Sequence, residues 1–177
     1  KETGPDGAIT RTAYANPKLP DRPTEITDAR GGVKRLEWTA LGQLAVYTDC
    51  SNRTTRYGYD EDGRLVSLTD ALGQTWQANY DTHGRLIEET SPDSAATRYR
   101  WDDADRLVAR TDATGNTSHL HYDEHGRLIE VTDPNGHTRR LTYDAAGRLV
   151  SLINENAVAT RFTWDILDRL IEERGID

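Results

Sequence analysis

Aromatic and apolar side chains recur along this chain at a fixed spacing of 21 residues. When the aromatic residue is numbered position 1 of each repeat, position 2 is Asp in six of seven repeats and position 6 is Arg in six. Position 5 is Gly or Asp, position 7 is always Leu, and position 8 is Val or Ile after the first repeat. The aromatic residues that define the repeats are Trp38, Tyr59, Tyr80, Trp101, Tyr122, Tyr143 and Trp164.

Each repeat carries two turn signals, one at positions 2–5 and one at positions 12–15, as in residues 60–63 and 70–73. Asp bonds its own backbone two residues on, and Gly accepts a positive φ, so both segments favour turns. The residues between them, for example 127–132 and 138–143, are rich in β-branched and aromatic types that suit a strand. The pattern predicts one β-hairpin per repeat and an all-β fold.

Two other all-β folds fit a 21-residue period. A parallel β-helix would use one rung per repeat, and a β-propeller would use two repeats per blade. The paired Asp and Gly turns favour antiparallel hairpins, and odd and even repeats do not differ. Leu at position 7 and Val or Ile at position 8 would point to opposite faces, so neither face is expected to be strongly apolar. Leu at position 7 is expected to contact the aromatics at position 1 or position 20.

The repeat phase extends towards the N-terminus. Thr27 and Asp28 lie 21 residues before the matching pair at 48–49, and residues 3–7 repeat the turn pattern of 132–136. Tyr14 lies 24 residues before Trp38, so three extra residues are expected near Pro17, Pro20 and Pro23. The sequence predicts one continuous array, with degenerate repeats and a Pro-rich insertion over 1–37, and six full repeats plus a truncated seventh over 38–177. Because the array begins and stops within a repeat, we expect a piece of a longer protein.

Composition changes this picture only in part. Hydrophobic residues make up 35 % of the 177 residues, but 22 basic side chains nearly balance 30 acidic ones, which favours a folded chain with a thin core over disorder. The net charge of −8 argues against a general nucleic-acid binder. Apolar runs are too short for a membrane span, and no apolar signal segment opens the chain. A single cysteine, Cys50, excludes an intrachain disulfide.

The motif Tyr-Asp-x-x-Gly-Arg-Leu resembles the YD repeat of Rhs proteins, which is related to repeats of teneurins and of the C component of bacterial insecticidal toxin complexes. It occurs here at 59–65, 80–86, 122–128 and 143–149, with Trp-Asp variants at 101–107 and 164–170. The resemblance implies a curved antiparallel β-strip that forms part of a hollow spiral shell. In bacterial members the shell encloses a C-terminal toxin and is often delivered by type VI secretion.

The resemblance therefore implies a structural shell segment of a secreted bacterial toxin, one without a visible signal peptide. Its expected partners are the rest of the parent shell, the enclosed toxin domain and, through domains outside this sequence, secretion-apparatus proteins. The Pro- and Gly-containing segment with aspartyl-protease residues that ends bacterial shells is not found, and Asp133-Pro134 is a turn within a repeat. Neither a toxin domain nor a secretion-adaptor domain is recognised within this sequence, and we expect both to lie outside it. The alternative is a YD-repeat binding or adhesion module that contacts glycan or protein.

No catalytic, cofactor-binding or metal-binding residue is expected, and no enzymatic activity. The Asp at position 2 and Arg at position 6 could form a sugar or cargo surface, but their repetition favours turn capping and ion pairing. His119 and His121 share one strand face, yet two imidazoles do not make a zinc site. His83 and His125 occupy turn tips, and Cys50 lies at a turn without a neighbouring base. The unpaired edges of a strip are expected to promote self-association.

Overall fold

The computed structural model describes residues 2–3 and 9–176, which form strands and turns without a helix. The chain divides into two compact units, Lys1–Ala95 and Ala96–Asp177. Both units consist of antiparallel hairpins in tandem, as the repeat predicts. The turn expected over residues 3–7 lies largely outside the described residues. No segment of the described chain forms a helix with the length and apolarity needed to span a membrane.

The strands of the first unit are β1 (Glu2–Thr3), β2 (Ile9–Ala13), β3 (Glu25–Thr27), β4 (Val33–Trp38), β5 (Leu44–Thr48), β6 (Thr54–Tyr59), β7 (Leu65–Thr69), β8 (Thr75–Tyr80) and β9 (Leu86–Thr90). Those of the second unit are β10 (Ala96–Trp101), β11 (Leu107–Thr111), β12 (Thr117–Tyr122), β13 (Leu128–Thr132), β14 (Thr138–Tyr143), β15 (Leu149–Ile153), β16 (Ala159–Trp164) and β17 (Leu170–Ile176).

Within each unit, every strand pairs antiparallel with the strand that follows it in the chain. Antiparallel pairing excludes the parallel β-helix. Consecutive pairing through all the strands of a unit also excludes the separate four-stranded blades of a propeller.

Both turns of a repeat share one design. In the turn after β6, the backbone N–H of Asp60 donates to the carbonyl of Arg64 at 3.0 Å, and that of Gly63 donates to the carbonyl of Asp60 at 3.0 Å. Gly63 has a φ of 81°, which closes the turn in the left-handed region that glycine adopts without steric cost. The turn after β7 repeats these bonds at Asp70 and Gly73.

A β-bulge interrupts the pairing between each strand that ends at the aromatic residue of position 1 and the strand that follows it. The register shifts between Gly58 and Tyr59 in the first unit and between His121 and Tyr122 in the second, and other repeats shift at the same place. A bulge re-aims the side chains that follow it. It therefore separates positions 1 and 7 from the regular alternation of the rest of the hairpin.

The pairing gathers most apolar side chains on one face of each hairpin, which positions 7 and 8 alone do not predict. Positions 10 and 20 pair directly, as in Tyr57 with Leu68 and Leu141 with Leu152, and form an apolar row that charged residues such as the exposed Glu89 and Arg110 interrupt. Positions 11 and 17 share the opposite face and are mostly Thr, with hydroxyl pairs 2.8–3.2 Å apart. Positions 7 and 8 lie beside the bulge, and positions 10 and 20 set the character of the apolar face.

The core is thin, as composition predicts. Among residues whose side chains are described, only Gly42 and Ala109 are buried, and Ala109 is 5 % exposed. The apolar side chains of this row are half-buried, because side chains of neighbouring strands cover one another. Each repeat therefore depends on its neighbours for burial.

Candidate functional site

The Asp of position 2 caps the turn that follows it. Asp60 accepts backbone hydrogen bonds at Oδ1 from Asp62 (3.1 Å) and Arg64 (2.8 Å), and its Oδ2 accepts one from Arg64 Nε (2.7 Å). Asp123 and Asp144 bind their own turns and the Arg four residues on in the same way. The predicted role of these Asp and Arg residues in turn capping and ion pairing is confirmed.

This arrangement holds the capping carboxylates ionised. Partial desolvation alone would raise the pKa of Asp81. Hydrogen bonds from the backbone and guanidinium of Arg85 and from the backbone of His83 outweigh it and lower the pKa to about 2. The pKa of Asp60 and of Asp123 is lowered in the same direction, against the same desolvation. A carboxylate with these hydrogen bonds and a lowered pKa is a weak base, and its contacts serve the structure rather than catalysis.

The Arg of position 6 also reaches the next repeat. The guanidinium of Arg64 lies over the ring of Tyr80, 5.2 Å from its centroid, and Nη1 donates to the carbonyl of Asp81 at 3.5 Å. In the second unit Arg106 and Arg127 stack on the aromatic ring of the next repeat at 5.0 and 5.1 Å. A cation over an aromatic face is attracted by the ring quadrupole, so one side chain links two repeats.

The aromatic residue of position 1 forms a second contact with the preceding repeat. The hydroxyl of Tyr80 donates to the carbonyl of Leu65 in the preceding repeat at 3.0 Å, and that of Tyr122 to Leu107 at 2.8 Å. Trp164 makes the same bond with Nε1 to the carbonyl of Leu149 at 2.7 Å. Tyr and Trp both serve at position 1 because each combines a large ring with a polar donor.

We call this set the inter-repeat clamp. It consists of the Asp at position 2, the Arg at position 6 and the Leu carbonyl at position 7 of one repeat, with the aromatic of position 1 of the next.

The clamp persists where the sequence pattern fails. Gln43 replaces the Arg of position 6, and its Nε2 donates to the carbonyl of Gly63 at 2.6 Å. Near the N-terminus, the guanidinium of Arg22 lies 5.3 Å from the Trp38 ring, whose Nε1 donates to the carbonyl of Pro23 at 2.7 Å.

Arg22 and Pro23 therefore stand at positions 6 and 7, and sequence reasoning missed them. Arg22 lies five residues before Thr27, as Arg64 lies five before Thr69, and this signal could have identified it. The three extra residues consequently lie between Tyr14 and Arg22, at Pro17 and Pro20 but not at Pro23.

The candidate His residues are not brought together into a site. His119 is half-buried and His121 exposed on β12, where they pair across the sheet with Thr132 and Glu130. Within residues 2–3 and 9–176, no group of three or more His, Cys, Asp or Glu side chains is placed to hold a metal ion.

The remaining candidates lie at turns, as predicted. His83 and His125 are exposed at turn tips, where their backbone N–H groups bind the capping Asp at 2.9 Å. Cys50 is exposed, with a free thiol, in the turn that Asp49 caps. The main chemistry of the repeats is thus recognition between neighbouring hairpins.

Sequence comparison identifies relatives of this array. The profile of the Teneurin YD-shell family matches residues 26–175. Over 53 residues the chain is 58 % identical to Toxin protein Tse5 of Pseudomonas aeruginosa and covers 4 % of that protein. Over 53 residues it is 51 % identical to Double-stranded DNA deaminase toxin A of Burkholderia cenocepacia, again 4 % of its length. The matches cover 30 % and 29 % of this chain.

Solved structures share the fold at low sequence identity. The structure of TcdB2-TccC3-Cdc42 matches 96 % of this chain and 10 % of its own with a TM-score of 0.79 and 16 % identity. That of TcdB2-TccC3 matches 96 % of this chain and 11 % of its own with a TM-score of 0.75 and 17 % identity. These similarities show that the chain shares its fold with a stretch of each of those larger chains.

Proposed function

The chain belongs to the Teneurin YD-shell family of Rhs/YD-repeat proteins, and we propose that it is a wall segment of a shell that encloses a C-terminal toxin domain. The shell would belong to a secreted bacterial effector. The family match over 26–175 carries the proposal, and the names of the two toxin relatives support its bacterial setting. The chain contributes structure, and its activity is containment.

Containment follows from how the hairpins are joined. Paired strands lie about 4.8 Å apart and leave no gap through which a polypeptide could pass. The turns between strands are short, so the wall is nearly all sheet. Each clamp adds a side-chain link across two repeats, which resists separation of one hairpin from the next. Such a wall would keep the toxin from the producing cell and proteases from the toxin.

The test is protease access in the full-length protein that carries this segment. Arg106→Ala together with Arg127→Ala removes the guanidinium contacts of two consecutive clamps, and we expect the enclosed domain to be digested faster than in the unsubstituted protein. His125→Ala is the matched control, because it changes an exposed turn tip between the same repeats. Hydrogen exchange of β12–β14 would report whether the wall has opened.

Two results would contradict the proposal. One is an enclosed domain that stays resistant to protease although hydrogen exchange shows the wall to be open. The other is that the C-terminal domain is digested at the same rate in the clamp variant and in the unsubstituted protein. This result would count only where hydrogen exchange shows that the wall is open in the variant and closed in the unsubstituted protein.

A further inference from the structure

Two consecutive grooves open to solvent between the turns of the first unit. The larger has a volume of about 720 Å³, and its lining includes Leu72, Trp76, Ser91, Pro92 and Asp93. The smaller, about 320 Å³, lies one repeat earlier and includes Leu72 again, with Tyr47, Asp49, Arg53, Thr55 and Asp70. Leu72 thus forms the ridge between two grooves that each contain an aromatic side chain.

Leu72 and Trp76 depart from the repeat. Position 14, which Leu72 occupies, is otherwise Ser, Asp, Thr or Asn in the six full repeats, and position 18, which Trp76 occupies, is otherwise Thr, Ser or Arg. Leu72 is 83 % exposed and Trp76 is 40 % exposed, so neither fills a core. Large apolar side chains that replace polar ones on an open surface indicate a contact with a partner.

The indole of Trp76 also differs from those that belong to clamps. Nε1 of Trp38 and of Trp164 donates to a backbone carbonyl at 2.7 Å. Trp76 makes no such bond within the part of the chain that the structure describes, and it stands opposite Leu68 on the edge of the groove. Its N–H remains a donor for a carbonyl of a bound molecule.

We propose that these grooves bind a proline-rich segment in the polyproline II conformation. Equivalent positions of successive repeats lie two strands apart, about 9.6 Å. One turn of polyproline II is three residues of about 3.1 Å each, about 9.3 Å. Proline rings one turn apart therefore fit the two grooves on either side of Leu72. Carbonyls of this helix have no internal hydrogen bonds, so one of them accepts the Trp76 N–H.

Charge specifies the ligand further. Asp49, Asp70 and Asp93 line the grooves, against the single cation of Arg53. A partner that carries Arg or Lys beside its prolines is complementary to these carboxylates. An uncharged glycan could stack on Trp76 and donate hydroxyl hydrogen bonds to the carboxylates, but it carries no positive charge to complement them, which favours the basic peptide. This site is independent of containment, because it lies outside the clamps.

The experiment titrates the 177-residue chain into a fluorescein-labelled decaproline with an N-terminal Arg and follows fluorescence polarisation. We expect saturable binding that weakens about tenfold in Trp76→Thr and in Leu72→Asn, as for loss of a central aromatic or aliphatic contact. Both substitutions install residues that other repeats carry in the same slots, so the fold is retained. Arg139→Thr changes the slot of Trp76 in another repeat and should bind unchanged.

Three outcomes would overturn the proposal. One is the absence of saturable binding by the unsubstituted chain, and another is binding by the Trp76 and Leu72 variants that is as tight as that of the unsubstituted chain. The third is that a decaproline with Glu in place of Arg binds as tightly as the Arg peptide. Cello- and chito-oligosaccharides are titrated in parallel. A Trp76-dependent response to them without one to the peptide would make the grooves a sugar site and the proposal wrong.

Discussion

At the scale of single residues, the Arg of position 6 makes three kinds of contact at once. Arg127 pairs with Asp123 at 2.7 Å, stacks on Tyr143 and donates to the carbonyl of Asp144 at 3.2 Å. Only a planar guanidinium with several fixed donors can do this, since Lys carries a compact charge without a flat face. The recurrence of Arg rather than Lys follows from this geometry.

The capping carboxylates make the folding stability of the chain depend on pH in the acidic range. The folded pKa of Asp81 is about 2 against an ordinary value of 3.8, so folding favours the ionised form. The resulting stabilisation is complete above about pH 5 and is lost as the pH falls towards 2. We expect the urea midpoint of the chain to fall over this range. Asp81→Asn should lower the midpoint at pH 7 and flatten its dependence on pH.

The matched control is Glu61→Gln, which removes an exposed carboxylate that accepts no hydrogen bond within the described residues. Its midpoint should follow the pH profile of the unsubstituted chain. A midpoint that stays constant from pH 5 to pH 2 in the unsubstituted chain would contradict the role assigned to the caps.

At the scale of elements, a hairpin turn requires one residue with a positive φ. Gly126 meets this requirement with a φ of 79°, whereas Ala157 occupies the matching place of another turn with a φ of 61°. A side chain in this region costs about 1–2 kcal/mol relative to Gly. Two turns of the same design thus differ in strain.

This difference predicts that two substitutions change the folding stability in opposite directions. Gly126→Ala should destabilise the chain by about 1 kcal/mol, because a Cβ at this position meets no atom within 4 Å and only the backbone is strained. Ala157→Gly should stabilise it by a similar amount. Urea denaturation of both variants measures the effect. Shifts of the same sign would contradict the shared turn design.

The hairpins could be predicted from sequence because their signals are local: Asp and Gly at fixed offsets, with β-branched residues between them. The apolar face could not be predicted in this way, since it depends on a bulge at positions 21 and 1 that no particular residue type signals. The clamp of Arg22 was hidden because an insertion displaces Tyr14 from the 21-residue phase. The groove at Trp76 could not be predicted, because its other side is a turn of the following repeat. The unusual residue types of Leu72 and Trp76 are nevertheless visible in the sequence.

At the scale of the whole molecule, the strand at the C-terminal side of the second unit remains open to a partner. Among the described strands of that unit, β17 pairs with β16 alone, and its side chains Leu170 and Ile171 are 45 % and 62 % exposed. In the same repeat Arg169 is 71 % exposed, against 29 % for Arg148, which contacts the following repeat. An open strand edge with apolar side chains is a template for a further strand.

We therefore expect the 177-residue chain to self-associate as its concentration rises. Ile171→Lys places a charge on the edge strand and should shift the chain towards monomer in sedimentation equilibrium. Ile166→Lys is the control, because Ile166 is 97 % exposed in the turn before β17 and not in the strand. A chain that is monomeric at every concentration, or an equal response to both substitutions, would exclude pairing through this edge.

The consecutive pairing of strands within each unit has a consequence for how such an array is made. Within each unit, the described strands pair with the strand just before or just after them in the chain, so the loops that close during folding are short, and short loops favour rapid folding. On the ribosome, each finished hairpin can serve as the template for the next, and nothing has to wait for distant sequence. An array of this kind can therefore grow in step with translation, and whatever the same chain encodes later emerges beside repeats that are already folded.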